Sequence, residues 1–400
     1  MKHILMIAPR SIPVYGAEEI VNLKLLKALS KSGLFKIDLL SRRNKTVDYP
    51  CDDNDTVDVR LNSHHIVEVD NRVTPQVAWQ HFKALMKFGC VFRGAHWAAE
   101  CVPVAESLVR KNDYDYVITK SESSFLVGYY LKRKFGVKWV TTWNDPYPYH
   151  KCPPPYGKGP ESGSFYDKRI FSMLRCADIH VFPNERIRDY VRSYIDIDEN
   201  RTHIVPHVIL REEIVDCTNG QSDALRLISS GNIRSPRDPK PFLRALHRLI
   251  SDTPDAKIKF SILGLTDPDL QDYIAELGLS NHVSLLNPVS YGDSLEMLAD
   301  YDVAVIFEAP CSEGIFLPTK VSDYMQSGVN ILALSPRIGV LNDLFCESKI
   351  GYFADIADDD AVFRELKRLY FDFTEKKMFT PVIADNYLDN YITDEYLKFG

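Results

Sequence analysis

The sequence predicts an α/β protein built from two Rossmann-like domains, and three observations carry that reading. Short apolar runs alternate with amphipathic stretches along the chain, the pattern of buried parallel strands joined by helices. An acid–aromatic–acid step leads into a buried strand twice, as Asp113-Tyr114-Asp115-Tyr116-Val117-Ile118 and as Asp300-Tyr301-Asp302-Val303-Ala304-Val305-Ile306, a weak internal repeat of one half in the other. The length, 400 residues, suits two or three domains.

Composition narrows the function classes. With 45% hydrophobic and 26% charged residues the chain reads as an ordinary globular protein. A net charge of −7 argues against nucleic acid as the main partner. Eight cysteines lie scattered with no C-x-x-C pair, so neither a zinc ligand set nor a small disulfide framework is expected, and a reducing cytoplasm suits them. The start, MKHILMIAPR, reads as a first strand rather than a signal peptide. No run reaches the roughly 18 apolar residues of a membrane-spanning helix.

In the first half, His3–Ala8 is an expected strand, followed by the turn Pro9–Tyr15, a helix from Gly16 to Ser32, and a strand at Lys36–Ser41. The turn holds a single glycine, Gly16, so the nicotinamide-dinucleotide fingerprint is absent. An edge strand is expected at His64–Val69. From Asn71 to Ala99 there is no acidic residue, while Arg72, Lys83, Lys87 and Arg93 interleave with Trp79, Phe82, Phe88, Phe92 and Trp97. Two readings stay open there: an amphipathic helix packing its aromatics inward, or a peripheral contact with anionic lipid through residues 72–97. Asp113–Lys120 and Lys138–Thr142 read as strands around a helix at Leu126–Phe135. The acids of the repeat precede their strands, so they are expected as solvated turn residues and not as metal ligands. After Thr142 comes Trp143-Asn144-Asp145-Pro146-Tyr147-Pro148-Tyr149-His150, at a strand C-terminus where open α/β sheets bind ligands; Asp145 and His150 are its acid–base candidates. Residues 151–163, rich in Pro and Gly, form a loop expected to be mobile and near the site. A helix at Tyr166–Arg175, a strand at Asp178–Pro183 and a helix at Glu185–Tyr194 complete residues 1–208, and Val208–Ala224 is polar enough for a linker.

The second half opens with a strand, Leu225–Ser230, then Gly231 and the cations Arg234, Arg237 and Lys240 before a helix. A strand, a glycine and cations ahead of a helix N-terminus suit a diphosphate. Strands at Lys257–Leu263 and Val283–Leu286 flank a helix at Asp269–Leu277. The most informative stretch is Cys311–Ser335, CSEGIFLPTKVSDYMQSGVNILALS, between the strands Val303–Phe307 and Asn330–Leu334. Its loop carries Glu313, Gly314 and Ile315, and its short helix carries Lys320 and Asp323 three residues apart on one side. A cation for phosphate and two carboxylates for sugar hydroxyls suit a nucleotide-sugar; a capped surface helix with an ordinary Lys–Asp pair is the alternative. A short strand at Gly351–Phe353 and a helix at Asp360–Tyr370 follow.

The pattern E-G-x-x-L-P-x-K-x-x-[DE]-Y-x-x-x-G-x-x-I-L-A resembles the donor-binding segment of GT-B glycosyltransferases, especially the retaining group numbered family 4. The resemblance implies two Rossmann-like domains facing across a cleft: residues 1–208 for the acceptor, 209–378 for the nucleotide-sugar, and 379–400 crossing back to the first. It implies Glu313 on the transferred sugar and Asp323 on the ribose. The acids stand two residues further apart than in the commonest family pattern, and the second is Asp rather than Glu. It further implies Arg237 and Lys240, with Arg234 a weaker match, on the donor phosphates, Val289 and Tyr291 at the base through their backbone, and Gly16 near donor phosphate or acceptor. The expected protein is a cytoplasmic glycosyltransferase, either free or peripheral on the inner face of the membrane. It would use a nucleotide-diphosphate sugar as donor substrate, with no cofactor and no metal. The acceptor would be a saccharide or a lipid-linked saccharide in cell-surface polysaccharide or glycoconjugate synthesis. A nucleotide-sugar 2-epimerase of the same fold and a catalytically silent partner subunit remain as alternatives.

Overall fold

The computed structural model describes residues 1–14, 16–45, 59–72, 74–92, 94–214, 223–348, 350–379 and 382–400. By its contacts the chain divides into two compact units. Residues 1–151, 160–208 and 385–400 form the first, and 152–159 with 209–384 form the second.

The first unit is a seven-stranded parallel sheet. Its strands are β1 (Lys2–Ile7), β2 (Phe35–Asn44), β3 (Ser63–Val69), β4 (Tyr116–Lys120), β5 (Trp139–Thr142), β6 (Ile179–Phe182) and β7 (Thr202–Ile204), in the order β3-β2-β1-β4-β5-β6-β7. The helices are α1 (Ala17–Lys31), α2 (Pro75–Phe88), α3 (Ala95–Lys111), α4 (Glu122–Phe135), α5 (Asp167–Leu174) and α6 (Glu185–Tyr194). Strands covered on both faces need continuous apolar sequence, and every residue of β4 and β5 is buried. The basic–aromatic stretch is two helices rather than one. Thr74 caps α2 by accepting from Val77 N–H at 3.2 Å, Pro75 opens it, and Gly89 at φ 71° closes it. Arg93 lies outside the described residues.

The second unit repeats the plan with six parallel strands: β8 (Leu225–Ser230), β9 (Ile258–Leu263), β10 (Val283–Leu286), β11 (Val303–Phe307), β12 (Asn330–Ser335) and β13 (Gly351–Asp355), ordered β10-β9-β8-β11-β12-β13. Its helices are α7 (Lys240–Asp252), α8 (Leu270–Glu276), α9 (Tyr291–Leu298), α10 (Lys320–Gln326), α11 (Val340–Ser348) and α12 (Asp359–Thr374). Phe242, Phe260 and Phe307 meet edge-on or tilted at its centre, with centroids 4.8–6.2 Å apart. Helices α9 and α11 were not legible as helices, both being short and of mixed polarity. The last helix, α13 (Asp389–Leu397), packs on α1 in the first unit, where Tyr116 Oη donates to the Tyr396 carbonyl at 2.6 Å.

Asp113 and Asp300 are exposed as expected, but the second acid of each repeat has a structural role, and this corrects the expectation for Asp115 and Asp302. Asp115 accepts from His3 N–H at 2.7 Å, and buried Asp302 accepts from Arg226 N–H at 2.8 Å. Each carboxylate ties the start of the unit's first strand to the strand beside it. The sequence repeat is thus a repeat of one structural device.

Candidate active site

In each unit the residues of interest gather where the central strands end, the edge at which open α/β sheets take ligands. In the second unit that edge is formed by β8 and β11. Gly231 follows β8 at φ 90°, a conformation that suits glycine, and a Cβ there would stand 3.2 Å from Cε and 3.5 Å from Nζ of Lys320. The ammonium of Lys320 therefore lies directly over the Gly231 backbone. Burial, with Arg237 nearby, pushes its pKa down to about 8. Tyr324 Oη fixes α10 against β8 by accepting from Ser230 N–H at 2.9 Å.

Glu308, the residue after β11, joins this group. Its carboxylate is buried, accepts from Arg237 Nε at 3.2 Å and Nη2 at 3.1 Å, and accepts from Tyr156 Oη at 2.7 Å. Tyr156 belongs to the 152–159 segment, and its ring packs on Phe316 with centroids 4.6 Å apart. Neither Glu308 nor Tyr156 was a sequence candidate. The signal for Glu308 was an acid directly after a wholly apolar strand. Nothing in the sequence pointed to Tyr156.

The remaining sequence candidates of this unit are distributed as follows. Lys240 does not join Arg237 and Lys320. Its Nζ bonds Asp269 at 2.7 Å and lies 5.1 Å from the Tyr273 ring centroid, while its N–H is already taken by Asp238 at 2.9 Å. A lysine at the first position of α7 is carried toward α8, which removes it from the cradle expected of it. Arg234 is exposed. Tyr291 Oη donates to Asp323 at 2.7 Å, so these two candidates meet through side chains. Val289 is exposed between β10 and α9. Glu313 is exposed, Ile315 is buried, and Gly314 is paired by its backbone to Ile338 and Val340.

The first unit gathers a second cluster where β1, β4 and β5 end. Arg10 bonds Glu18 at 2.8 Å and Glu19 at 3.0 Å. Desolvation raises the Glu18 carboxyl to about 7 against the pull of Arg10, and Asp145 raises it further. Lys120, the last residue of β4, is 3% exposed, and its carbonyl accepts from Ser124 Oγ at 2.7 Å. Burial pushes its ammonium down to about 7, with Glu18 opposing. Also in this cluster, Glu18 Oε1, Asn144 Nδ2 and both ring nitrogens of His207 are buried without hydrogen-bond partners among the described residues, and burial drives His207 down to about 3. Buried polar atoms left unpaired at a sheet's ligand edge mark a place meant for polar contents. Asp145 stands in this cluster, its pKa raised by desolvation while Arg10 pulls it back.

His150 is held elsewhere. Its Nε2 lies 3.0 Å from Asp167, a carboxylate that also accepts from Tyr147 Oη and Ser164 N–H. The histidine fastens the loop after β5 to α5. Gly16 sits at the head of α1 with extended backbone, and a Cβ there would meet only the tips of Glu19 and Arg10, so nothing local requires glycine. Arg10, Glu18 and Lys120 escaped the sequence reading because only the fold brings the ends of β1, β4 and β5 together. Among the described residues, no group of three or more His, Cys, Asp or Glu is placed to hold a metal ion.

The two sheets with their shared strand order have the architecture of GT-B glycosyltransferases, and residues 68–212 match the family model Glycosyltransferase Family 4. Three solved structures are similar in fold. A glycosyltransferase from Rickettsia africae has a TM-score of 0.68 at 14% identity, covering 99% of this chain and 97% of that one. HepE from Anabaena, in complex with UDP, has 0.64 at 14%, covering 100% and 99%. The lipopolysaccharide outer core galactosyltransferase WaaB has 0.62 at 12%, covering 99% and 98%. No curated protein matches the chain by sequence.

Proposed function

We propose that the protein transfers a sugar from a nucleoside-diphosphate sugar to the hydroxyl of a saccharide or lipid-linked saccharide, in polysaccharide or glycoconjugate synthesis. One observation carries the donor half: the Lys320 ammonium over the Gly231 backbone, beside the guanidinium of Arg237. Two cations and a bare glycine backbone at the end of a central strand suit a diphosphate, whose charge they hold as the leaving group departs. The reading is of a transfer that keeps the anomeric configuration and uses these cations in place of a metal ion. Glu313 would take the transferred sugar. Asp323, oriented by the Tyr291 hydroxyl, would take the ribose. Glu18, Asp145 and Lys120 are the polar groups of the acceptor half. UDP on HepE and the lipopolysaccharide role of WaaB are consistent with such a donor and with an acceptor presented at a membrane, which residues 72–97 would contact.

Calorimetric titration with UDP, GDP, ADP and dTDP tests the donor half. At least one should bind. Arg237→Ala and Lys320→Met should each weaken it by about 1.5–3 kcal/mol, the loss of a charge-assisted bond. Lys240→Ala, whose ammonium is turned to Asp269, should bind like the parent. Failure of every nucleotide, or parent-like affinity in both cradle variants, would remove the reading.

A further inference from the structure

Arg237 stands on the loop between β8 and α7, and its side chain is 39% exposed. A long side chain on a loop spreads over many rotamers, and gripping a phosphate from that spread costs entropy. Arg237 is instead held. Its Nε and Nη2 both donate to Oε1 of Glu308, at 3.2 and 3.1 Å. Glu308 is itself fixed at both ends. Its N–H donates to the Leu334 carbonyl at 2.9 Å, which continues the ladder between β11 and β12. Its carboxylate is buried, and the second oxygen accepts from Tyr156 Oη at 2.7 Å. Burial, with Glu308 beside it, pushes the Tyr156 phenol up, so this hydroxyl keeps its proton and donates. Tyr156 comes from residues 152–159, which belong to the second unit although 1–151 and 160–208 belong to the first. That segment closes on itself: Gly159 N–H donates to the Cys152 carbonyl at 3.0 Å, and Tyr156 N–H to that of Pro153 at 3.2 Å. The Tyr156 ring rests on Phe316, in the loop between β11 and α10.

We propose that Glu308, aligned by Tyr156, is a positioning residue that sets the Arg237 guanidinium in place for the donor diphosphate. A buried ion pair adds little to stability, because desolvation offsets its attraction. What it supplies here is direction. The two bonds use one edge of a guanidinium that has five donors, and they fix the plane of the whole group. Glu308 also favours the charged form of Lys320 against the repulsion of Arg237. Donors held in place before the ligand arrives need no reorganisation when it does. A carboxylate near a diphosphate also repels it, so the sign of the effect on removing Glu308 reports which influence is larger. This role rests on the reading of Arg237 and Lys320 as a diphosphate cradle.

The full-length chain and its variants are titrated calorimetrically with UDP, GDP, ADP and dTDP. Glu308→Ala should weaken the nucleotide that the parent binds by about tenfold. Tyr156→Phe, which keeps the ring on Phe316 and removes only the hydroxyl, should weaken it in the same direction by less. Glu308→Gln keeps an oxygen to accept from Arg237 and should recover most of the loss. The deciding measurement repeats Glu308→Ala and Tyr156→Phe in an Arg237→Ala background. With no guanidinium left to place, each should change affinity less than about twofold. A carboxylate that only supported the fold would cost as much in both backgrounds, and that result would overturn the proposal. So would tighter binding by Glu308→Ala, the mark of a carboxylate that competes with the phosphates for Arg237. Thermal melts establish that each variant is folded, and Tyr156→Phe carries the comparison alone if Glu308→Ala is not. Parent-like affinity in both variants would remove this role and leave the donor reading standing. A parent that binds none of the four nucleotides would remove both.

Discussion

Lys120 is an ammonium group buried at the end of β4, with Glu18 the opposite charge that acts on it. Its folded pKa, about 7, lies below the ordinary lysine value of 10.5. The unfolded chain therefore binds more protons than the folded one between those values, and this group makes stability rise as pH climbs from about 7 toward 10. Glu18 has the opposite sense. Its folded pKa of about 7 lies above 4.5, so its contribution is greatest below 4.5 and is lost as pH rises to 7. Together they place the weakest point of this cluster near neutrality. Lys120→Met removes the ammonium whose burial opposes folding, while Glu18 keeps Arg10 as its partner, so it should stabilise the fold at pH 7. It should also flatten the rise above pH 7. Urea unfolding at pH 7 and pH 9 checks both, and an unchanged slope would mean the ammonium is better solvated than its burial indicates. Gly231 is the second residue with a clear expectation. Alanine there must adopt φ 90° with its Cβ 3.2 Å from Lys320 Cε. The left-handed backbone alone should cost about 1–2 kcal/mol, and displacement of Lys320 should weaken nucleotide binding as well.

At the scale of elements, the repeated acids show how a motif can be read correctly in place and wrongly in role. Their position ahead of a strand excluded the ligand edge. The backbone they serve belongs to β1 and β8, more than 70 residues earlier, as the separations of 112 and 76 residues show. Asp302→Ala leaves Arg226 N–H without its partner and should cost the second unit about 1–3 kcal/mol in chemical denaturation. An Asp300→Ala control that lost as much would remove the distinction. Helix α2 shows the complementary limit. Its caps, Thr74 and Gly89, were readable, because capping is local chemistry. Which side faces the core was not. Val77, Ala84 and Phe88 on one side and Trp79, Phe82 and Met86 on the other give two apolar stripes, and periodicity does not choose between them.

At the scale of the whole molecule, each unit brings charge to the ends of its central strands, and in the second the cations come from β8's loop and α10. If Arg237 and Lys320 hold the departing diphosphate, turnover should persist in EDTA; complete loss restored by Mg²⁺ or Mn²⁺ would show that the cations do not suffice. The alternation of apolar and amphipathic segments was enough to fix two parallel α/β units, because strands buried on both faces have little sequence freedom. Strands such as β8, β10 and β11 could be read to the residue for that reason. The stretch around Lys320 and Asp323 was legible too, since a strand, a loop and a helix within 25 residues fold locally. Tertiary structure alone decided which charges meet. It turned Lys240 to Asp269, put Lys320 over Gly231, tied His150 to Asp167, and gathered Arg10, Glu18, Lys120 and Asp145 from four separate segments. Strand order sets such meetings, and strand order is a property of long-range pairing that no local pattern of residues encodes.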